Sequence, residues 1–384
     1  MTEKIERLVD GLAGREFVGD VCRLLDEHLG RGDTRYLADV AAALHARYGS
    51  GEEGAEHRYL FDRILWDLVT TPGRENVAHA VRLGLADGPR TGRSVRRAAA
   101  VLAAHQSTAD LAVLYAPGRA HDDAPDELRA CLVQESALRG APIAELPEAV
   151  AWAESSPSWA GHPLALLPWS LMPLEGEPRL PRYSRGGAAY GVRYGLPDGR
   201  PLPVGHAAPA PAPAVHRGPD EPALTAAVER WAGRSYGRVE SAVFLLGEPL
   251  TGRPAVHPLL AALPLDCLVD VPAAPDRLTV VPGSAAEAWS RLFGAASLGG
   301  GRSDGWWYGA YGRLAAWRSL TALVGAPEGT PVPEVAERAR GCDWYAFEAS
   351  GDWFNQDGMD FALLTVTRDR RRLAVLAATD YDGG

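Results

Sequence analysis

Up to about Ser155 the apolar residues recur at helical spacing. Phe17, Val21, Leu24, Leu25 and Leu29 fall on one helical face. So do Leu37, Val40, Ala41, Leu44 and Tyr48, and then Leu60, Ile64, Leu65 and Leu68. The same spacing predicts helices over 74–86, 93–104, 109–115 and 126–138. Gly30-Arg31-Gly32, Gly49-Ser50-Gly51, Thr71-Pro72-Gly73, Asp87-Gly88-Pro89 and Ala116-Pro117-Gly118 break the pattern between them. Ser107 and either Asp33 or Thr34 are the expected N-caps. Short amphipathic helices joined by tight breakers predict an all-α domain over 1–155, either a compact bundle or a helix-pair stack. No signature repeats at the roughly 34–47-residue period of helix-pair arrays.

From 156 to 222 prolines interrupt any helix. Tyr190-Gly191-Val192-Arg193-Tyr194 alternates like a short strand, and Leu196-Pro197-Asp198-Gly199-Arg200 has turn chemistry, so a short hairpin is expected there. Ala207-Ala208-Pro209-Ala210-Pro211-Ala212-Pro213 reads as an extended spacer. Beyond it, 223–231 is helical in pattern, and 242–246, 267–271 and 278–281 are apolar runs suited to buried strands. Helices are expected over 285–293 and 312–324. The runs 344–349, 361–367 and 373–378 are strand-like, and Asp369-Arg370-Arg371 turns between the last two. The fold class is therefore α+β: a helical domain over 1–155, a proline-rich connector over 156–222, and an α+β domain over 223–384 ending in an antiparallel hairpin.

Composition narrows the setting. Hydrophobic residues make up 46% and charged residues 23% of 384, the balance of a globular chain. The formal net charge of -10 disfavours a nucleic-acid backbone or an anionic membrane as partner. The basic residues are almost all arginine, Lys4 being the sole lysine, as GC-rich coding would give. Cys22, Cys131, Cys267 and Cys342 form no CxxC pair, so they read as free thiols of a reducing compartment rather than a disulfide scaffold or a zinc site. The N-terminal text lacks the apolar core of a signal peptide, and no run reaches the about 20 residues needed to span a bilayer. A cytoplasmic location follows as the expectation.

Familiar catalytic text is missing. There is no GxSxG, HExxH or phosphate loop, and the 298–305 glycine stretch lacks the lysine and hydroxyl residue of a nucleotide cradle. No cofactor and no metal are expected. Asn355-Gln356-Asp357-Gly358 shares the middle of a calcium loop, but Trp353 stands at the first ligand position and the closing glutamate is absent.

Two segments stand out. The first, Trp306-Trp307-Tyr308-Gly309-Ala310-Tyr311-Gly312-Arg313-Leu314-Ala315-Ala316-Trp317, is dense in rings; Trp317 belongs on the core face of a helix. Trp306, Trp307, Tyr308 and Tyr311 are candidates for a binding surface, with Arg313 as an anion clamp. In the second, 342–360, strand alternation puts Asp343, Tyr345 and Phe347 on one face and Trp344, Ala346 and Glu348 on the other. A polar loop over 350–360 would then carry Asp352, Trp353, Asn355, Asp357 and Asp360. Glu348, Asp352, Asp357 and Asp360 are the acid/base candidates, and Trp353 and Asn355 binding candidates. The last residues, 380–384, read as a frayed acidic tail.

Gly309-Ala310-Tyr311-Gly312-Arg313-Leu314-Ala315-Ala316-Trp317-Arg318-Ser319-Leu320 resembles uncharacterised actinobacterial proteins grouped as a domain of unknown function, a resemblance that implies no activity. The acidic, tryptophan-rich C-terminal half is similar in composition, without a shared motif, to bacterial immunity and conflict-system proteins. Two readings follow. One is a binding protein that offers aromatic and acidic residues to a protein partner, a basic one by charge complementarity. The other is a hydrolase or transferase acting on a small-molecule ligand at a carboxylate site in the C-terminal domain.

Overall fold

The computed structural model describes residues 2–12, 18–48, 55–84, 92–184, 187–189, 194–204, 214–234, 237–299, 308–354 and 359–380. The chain forms two compact units, Met1–Ala165 with Pro181–Ala189, and Leu166–Leu180 with Tyr190–Gly384. The 156–222 stretch, expected as a connector, is divided between the two units. Within the second unit the buried Glu175 is held by Arg313.

The first unit is helical. Its helices are α1 (Thr2–Asp10), α2 (Gly19–Gly30), α3 (Thr34–Tyr48), α4 (Ala55–Thr70), α5 (Arg74–Gly84), α6 (Gly92–His105), α7 (Thr108–Leu111), α8 (Arg119–Asp123), α9 (Asp126–Leu138), α10 (Pro147–Ser155) and α11 (Pro157–Ala160). The apolar stripes read from the sequence point inward: Leu25, Leu37, Leu44, Leu60, Ile64 and Leu68 are fully buried. Asp33 and Ser107 cap α3 and α7, accepting the amide hydrogens of Tyr36 and Asp110 at 3.3 and 3.1 Å. Helix α9 is enclosed on all sides from Leu128 to Leu138, and its polar groups find partners inside. Gln134 donates to the Leu164 carbonyl at 3.2 Å, and Arg139 donates to Glu135 at 2.7 Å. A two-stranded hairpin, β1 (Arg182–Ser184) with β2 (Gly187–Ala189), belongs to this unit.

The second unit is α+β. Its strands are β3 (Val215–Arg217), β4 (Arg238–Leu246), β5 (Leu278–Gly283), β6 (Asp343–Ala349), β7 (Met359–Val366) and β8 (Arg372–Asp380), and its helices are α12 (Glu229–Arg234), α13 (Val256–Ala261), α14 (Ala285–Leu298), α15 (Tyr308–Leu323) and α16 (Val332–Arg340). Among the described residues the sheet runs β3-β4-β8-β7-β6-β5, every neighbour antiparallel. Strand alternation divides its side chains between two layers. Phe244, Val280, Phe347, Leu364 and Val375 point to one face, where they pack with Val256, Leu260 and Leu268 around α13. On the other face Phe361 meets Trp231 of α12, and the Trp344 indole donates to the Ala339 carbonyl of α16 at 2.8 Å.

Helices α14 and α15 pack closely because residue 312 has no side chain. A Cβ there would stand 2.8 Å from Ser297 Cβ and 2.9 Å from its Cα. As expected, Trp317 is core, 2% exposed, and it meets Trp289 of α14.

Several elements differ from the sequence reading. Residues 267–271 form no strand. A 3-10 turn spans Asp266–Leu268, and its first amide hydrogens go to the Glu240 carboxylate instead of a ladder. The helix expected over 223–231 is a 3-10 turn, Pro222–Thr225, followed by α12. Strand β3 is too short to show an apolar pattern; helix α16 carries one, Val332, Val335, Ala336 and Ala339 on a single buried face, that the sequence reading leaves out. Asp380, read as part of a frayed tail, is the fully buried last residue of β8; 381–384 lie outside the described residues.

Candidate functional site

The structure separates the candidate residues. Trp306, Trp307, Asn355 and Asp357 lie outside the described residues. Tyr308 is buried and Tyr311 half-buried on α15. Arg313 is not a free clamp for an outside anion: it is 0% exposed, and its fork is engaged by Glu175. Asp360 is buried at the start of β7, and its charge reaches Glu348, helping burial to push that carboxyl up. Asp352 and Trp353 come together, and they do so in a cleft.

The cleft encloses about 270 Å³ at the end of the sheet. One rim is the turn that carries Asp266, Cys267, Val269, Asp270 and Val271. The other is the loop Ser350–Trp353, and Arg238 and Ala349 complete the lining. The loop leaves β6 with the Ser350 amide donating to the Arg277 carbonyl at 2.9 Å. It is held further on by Arg238, whose Nη1 donates to the Asp352 carbonyl at 3.0 Å. Phe354 drops into the core and stacks edge-on against Trp353, with centroids 4.7 Å apart, so the neighbouring indole stays half-buried at the cleft wall. Gly351 lets the rims approach, since a Cβ there would come within 3.3 Å of Asp270 Oδ2.

The cleft carries Asp266, Asp270 and Asp352 against the single cation Arg238. Val269, 72% exposed, adds an aliphatic edge. A negative opening with an indole wall suits an extended cationic side chain, which can lay its stem on the ring and bring its head to the carboxylates. Burial, and then the Glu240 carboxylate beside it, push the Cys267 thiol far above the usual range, which disfavours its thiolate.

Glu348 does different work. On the face opposite the cleft it accepts the Leu196 amide hydrogen at 3.1 Å, while Arg291 donates to the Tyr194 carbonyl at 2.5 Å. Together they fasten the 194–204 segment to the unit. Burial pushes the Glu348 carboxyl up, against the lowering effect of the Leu196 amide. Its folded value therefore exceeds its unfolded one, and stability falls as pH rises through the interval between them. Glu348→Gln keeps an oxygen for Leu196 and removes the half-buried charge. This variant is expected to flatten the pH dependence of stability in weak acid and to be no less stable at pH 7, with any gain below about 1 kcal/mol. Urea unfolding of both proteins at several pH values checks it; an unchanged acid profile contradicts it.

The positions sequence reasoning missed are Arg238, Asp266 and Asp270. The one available signal was Pro264 and Pro272 flanking an apolar run with acids at both ends, a poor fit to a central strand. Among the described residues no group of three or more His, Cys, Asp or Glu side chains is placed to hold a metal ion, and no helix is long and apolar enough to cross a membrane. No curated protein and no solved structure matches the chain. Residues 19–382 match a family of unknown function, DUF6183, and the chain belongs to that family.

Proposed function

We propose that this DUF6183 chain is a protein-binding protein of the cytoplasm whose acidic, tryptophan-walled cleft receives a basic segment of its partner. The observation that carries the reading is that Asp266, Asp270 and Asp352 line, with the Trp353 indole, one cleft of about 270 Å³. A cationic side chain gains there from stacking and from charge-assisted hydrogen bonds. A net charge of -10 adds long-range attraction for a basic partner and speeds encounter. Carboxylate-based hydrolysis has less support: Glu348 and Asp352 serve opposite sides of the sheet, and Asp360 is enclosed.

The test is fluorescence anisotropy with a labelled peptide of alternating arginine and glycine. The full chain is expected to bind it with an affinity that falls as salt rises. The triple variant Asp266→Asn, Asp270→Asn, Asp352→Asn is expected to lose at least about tenfold, since each buried or rim contact to a charge is worth on the order of 1 kcal/mol. Equal binding by both proteins would sink the reading.

A further inference from the structure

Both rims of the cleft are held by one strand. Arg238 and Glu240 are alternate residues of β4, so they leave the sheet on the same face, roughly 6.6 Å apart along the strand. The Glu240 carboxylate accepts the amide hydrogens of Asp266 and Cys267 at 2.9 and 2.8 Å, fixing the turn that carries two of the cleft aspartates. The Arg238 guanidinium donates to the Asp352 carbonyl at 3.0 Å, fixing the loop that carries Asp352 and Trp353. Beneath them the ladder pairs Arg238 with Thr379 and Glu240 with Ala377, so the two anchor points cannot slide relative to each other. The strand thus sets the distance between acidic turn and aromatic loop. A mutation that moves either rim by an ångström changes whether one cation can meet both.

We propose that Arg238 and Glu240 are positioning residues of the recognition cleft, an inference that rests on the basic-partner reading above. Its discriminating feature is a sign. Arg238 has the same charge as the proposed ligand, so as a charge alone it opposes binding and its removal would tighten the complex. As a holder of the Asp352 loop its removal loosens the cleft and weakens the complex.

The experiment uses the full chain and the same labelled arginine–glycine peptide. Arg238→Ala is expected to weaken binding about tenfold although it deletes a repelling charge. Arg238→Lys still has a donor for the Asp352 carbonyl and is expected to stay within about threefold of the parent protein. Glu240→Gln keeps one of the two backbone contacts and is expected to weaken binding about threefold to tenfold. In Arg238→Lys, which changes no charge, the slope of log Kd against log salt should stay at the parent value. Thermal unfolding of each variant confirms that the unit is intact, and the lysine and glutamine variants decide the matter if the alanine variant unfolds. Tighter or unchanged binding by Arg238→Ala, or a lysine variant as weak as the alanine one, overturns the positioning role while leaving the basic-partner reading in place. Failure of the parent protein to bind the peptide overturns both.

Discussion

Arg313→Ala will lower the stability of the chain by about 3–5 kcal/mol. Arg313 and Glu175 are both 0% exposed at the side chain, so each ion is stable there only because the other is present. Arginine Nε and Nη2 donate to the two carboxylate oxygens at 2.7 and 2.6 Å. Nη1 donates to the Pro168 carbonyl and Nη2 also to the Ser170 carbonyl, both at 2.8 Å. Glu175 further accepts the Met172 amide hydrogen at 2.7 Å and the Trp317 indole hydrogen at 2.8 Å. Alanine at 313 strands a carboxylate without its counter-ion and leaves two backbone carbonyls unpaired. Arg313→Lys keeps the charge but cannot reproduce the fork, and is expected to cost about 1–3 kcal/mol. Adding Glu175→Ala to Arg313→Ala should cost less than the sum of the single changes, because the second deletion removes the stranded charge. Urea unfolding followed by near-UV circular dichroism measures all of these; a loss below about 1 kcal/mol for Arg313→Ala would show that the network is not closed to water.

Trp231→Ala is expected to cost a similar amount, about 3–5 kcal/mol, through a different mechanism. Trp231 is 0% exposed and joins the helical layer to the sheet. Its ring meets Tyr194 and Phe361 edge-on at 5.5 and 5.7 Å, and its N–H donates to the Ala295 carbonyl at 3.3 Å. Alanine leaves a large cavity among aromatic walls, which collapse poorly. Trp231→Phe keeps most of the contact area and loses the hydrogen bond, so its cost should be about 1–2 kcal/mol. The same unfolding experiment ranks the two, and equal losses would mean that the hydrogen bond, not the packing, dominates the site.

These two networks mark where the sequence stops being readable. The terminal hairpin was legible because its signals are local: two apolar runs around Asp369-Arg370-Arg371. There Asp369 accepts the Arg371 amide hydrogen at 3.1 Å, and Arg370 adopts a left-handed φ of 57°. The alternation in β6 was legible for the same reason, and Tyr345 and Phe347 do face the α13 layer. The partner of Arg313 is not legible, because Glu175 lies 138 residues earlier, in a stretch whose prolines read only as a connector. A lone arginine in an aromatic helix looks the same whether it waits for an anion or already holds one.

The cleft shows the same limit. Asp352 and Trp353 were singled out from their own text. Asp270 lies inside the 267–271 run and Asp266 just before it, and that run mimics a buried strand, since short apolar runs do not distinguish a strand from a turn of helix. Glu240, 26 residues before Asp266, decides the matter by taking two amide hydrogens that a strand would have given to its neighbour. What a carboxylate does from across the sheet cannot be read from spacing along the chain.

The claim that everything functional here depends on is that a cation enters beside Trp353. Indole-labelled ¹⁵N NMR reads it directly in a chain with 11 tryptophans, with Trp353→Phe identifying the resonance. On titration with the arginine–glycine peptide, the Trp353 indole signal should shift while those of the buried Trp231, Trp289 and Trp317 stay in place. The shift should vanish in the triple asparagine variant. A Trp353 signal that stays fixed while the peptide binds, or that shifts equally without the three aspartates, would contradict the account.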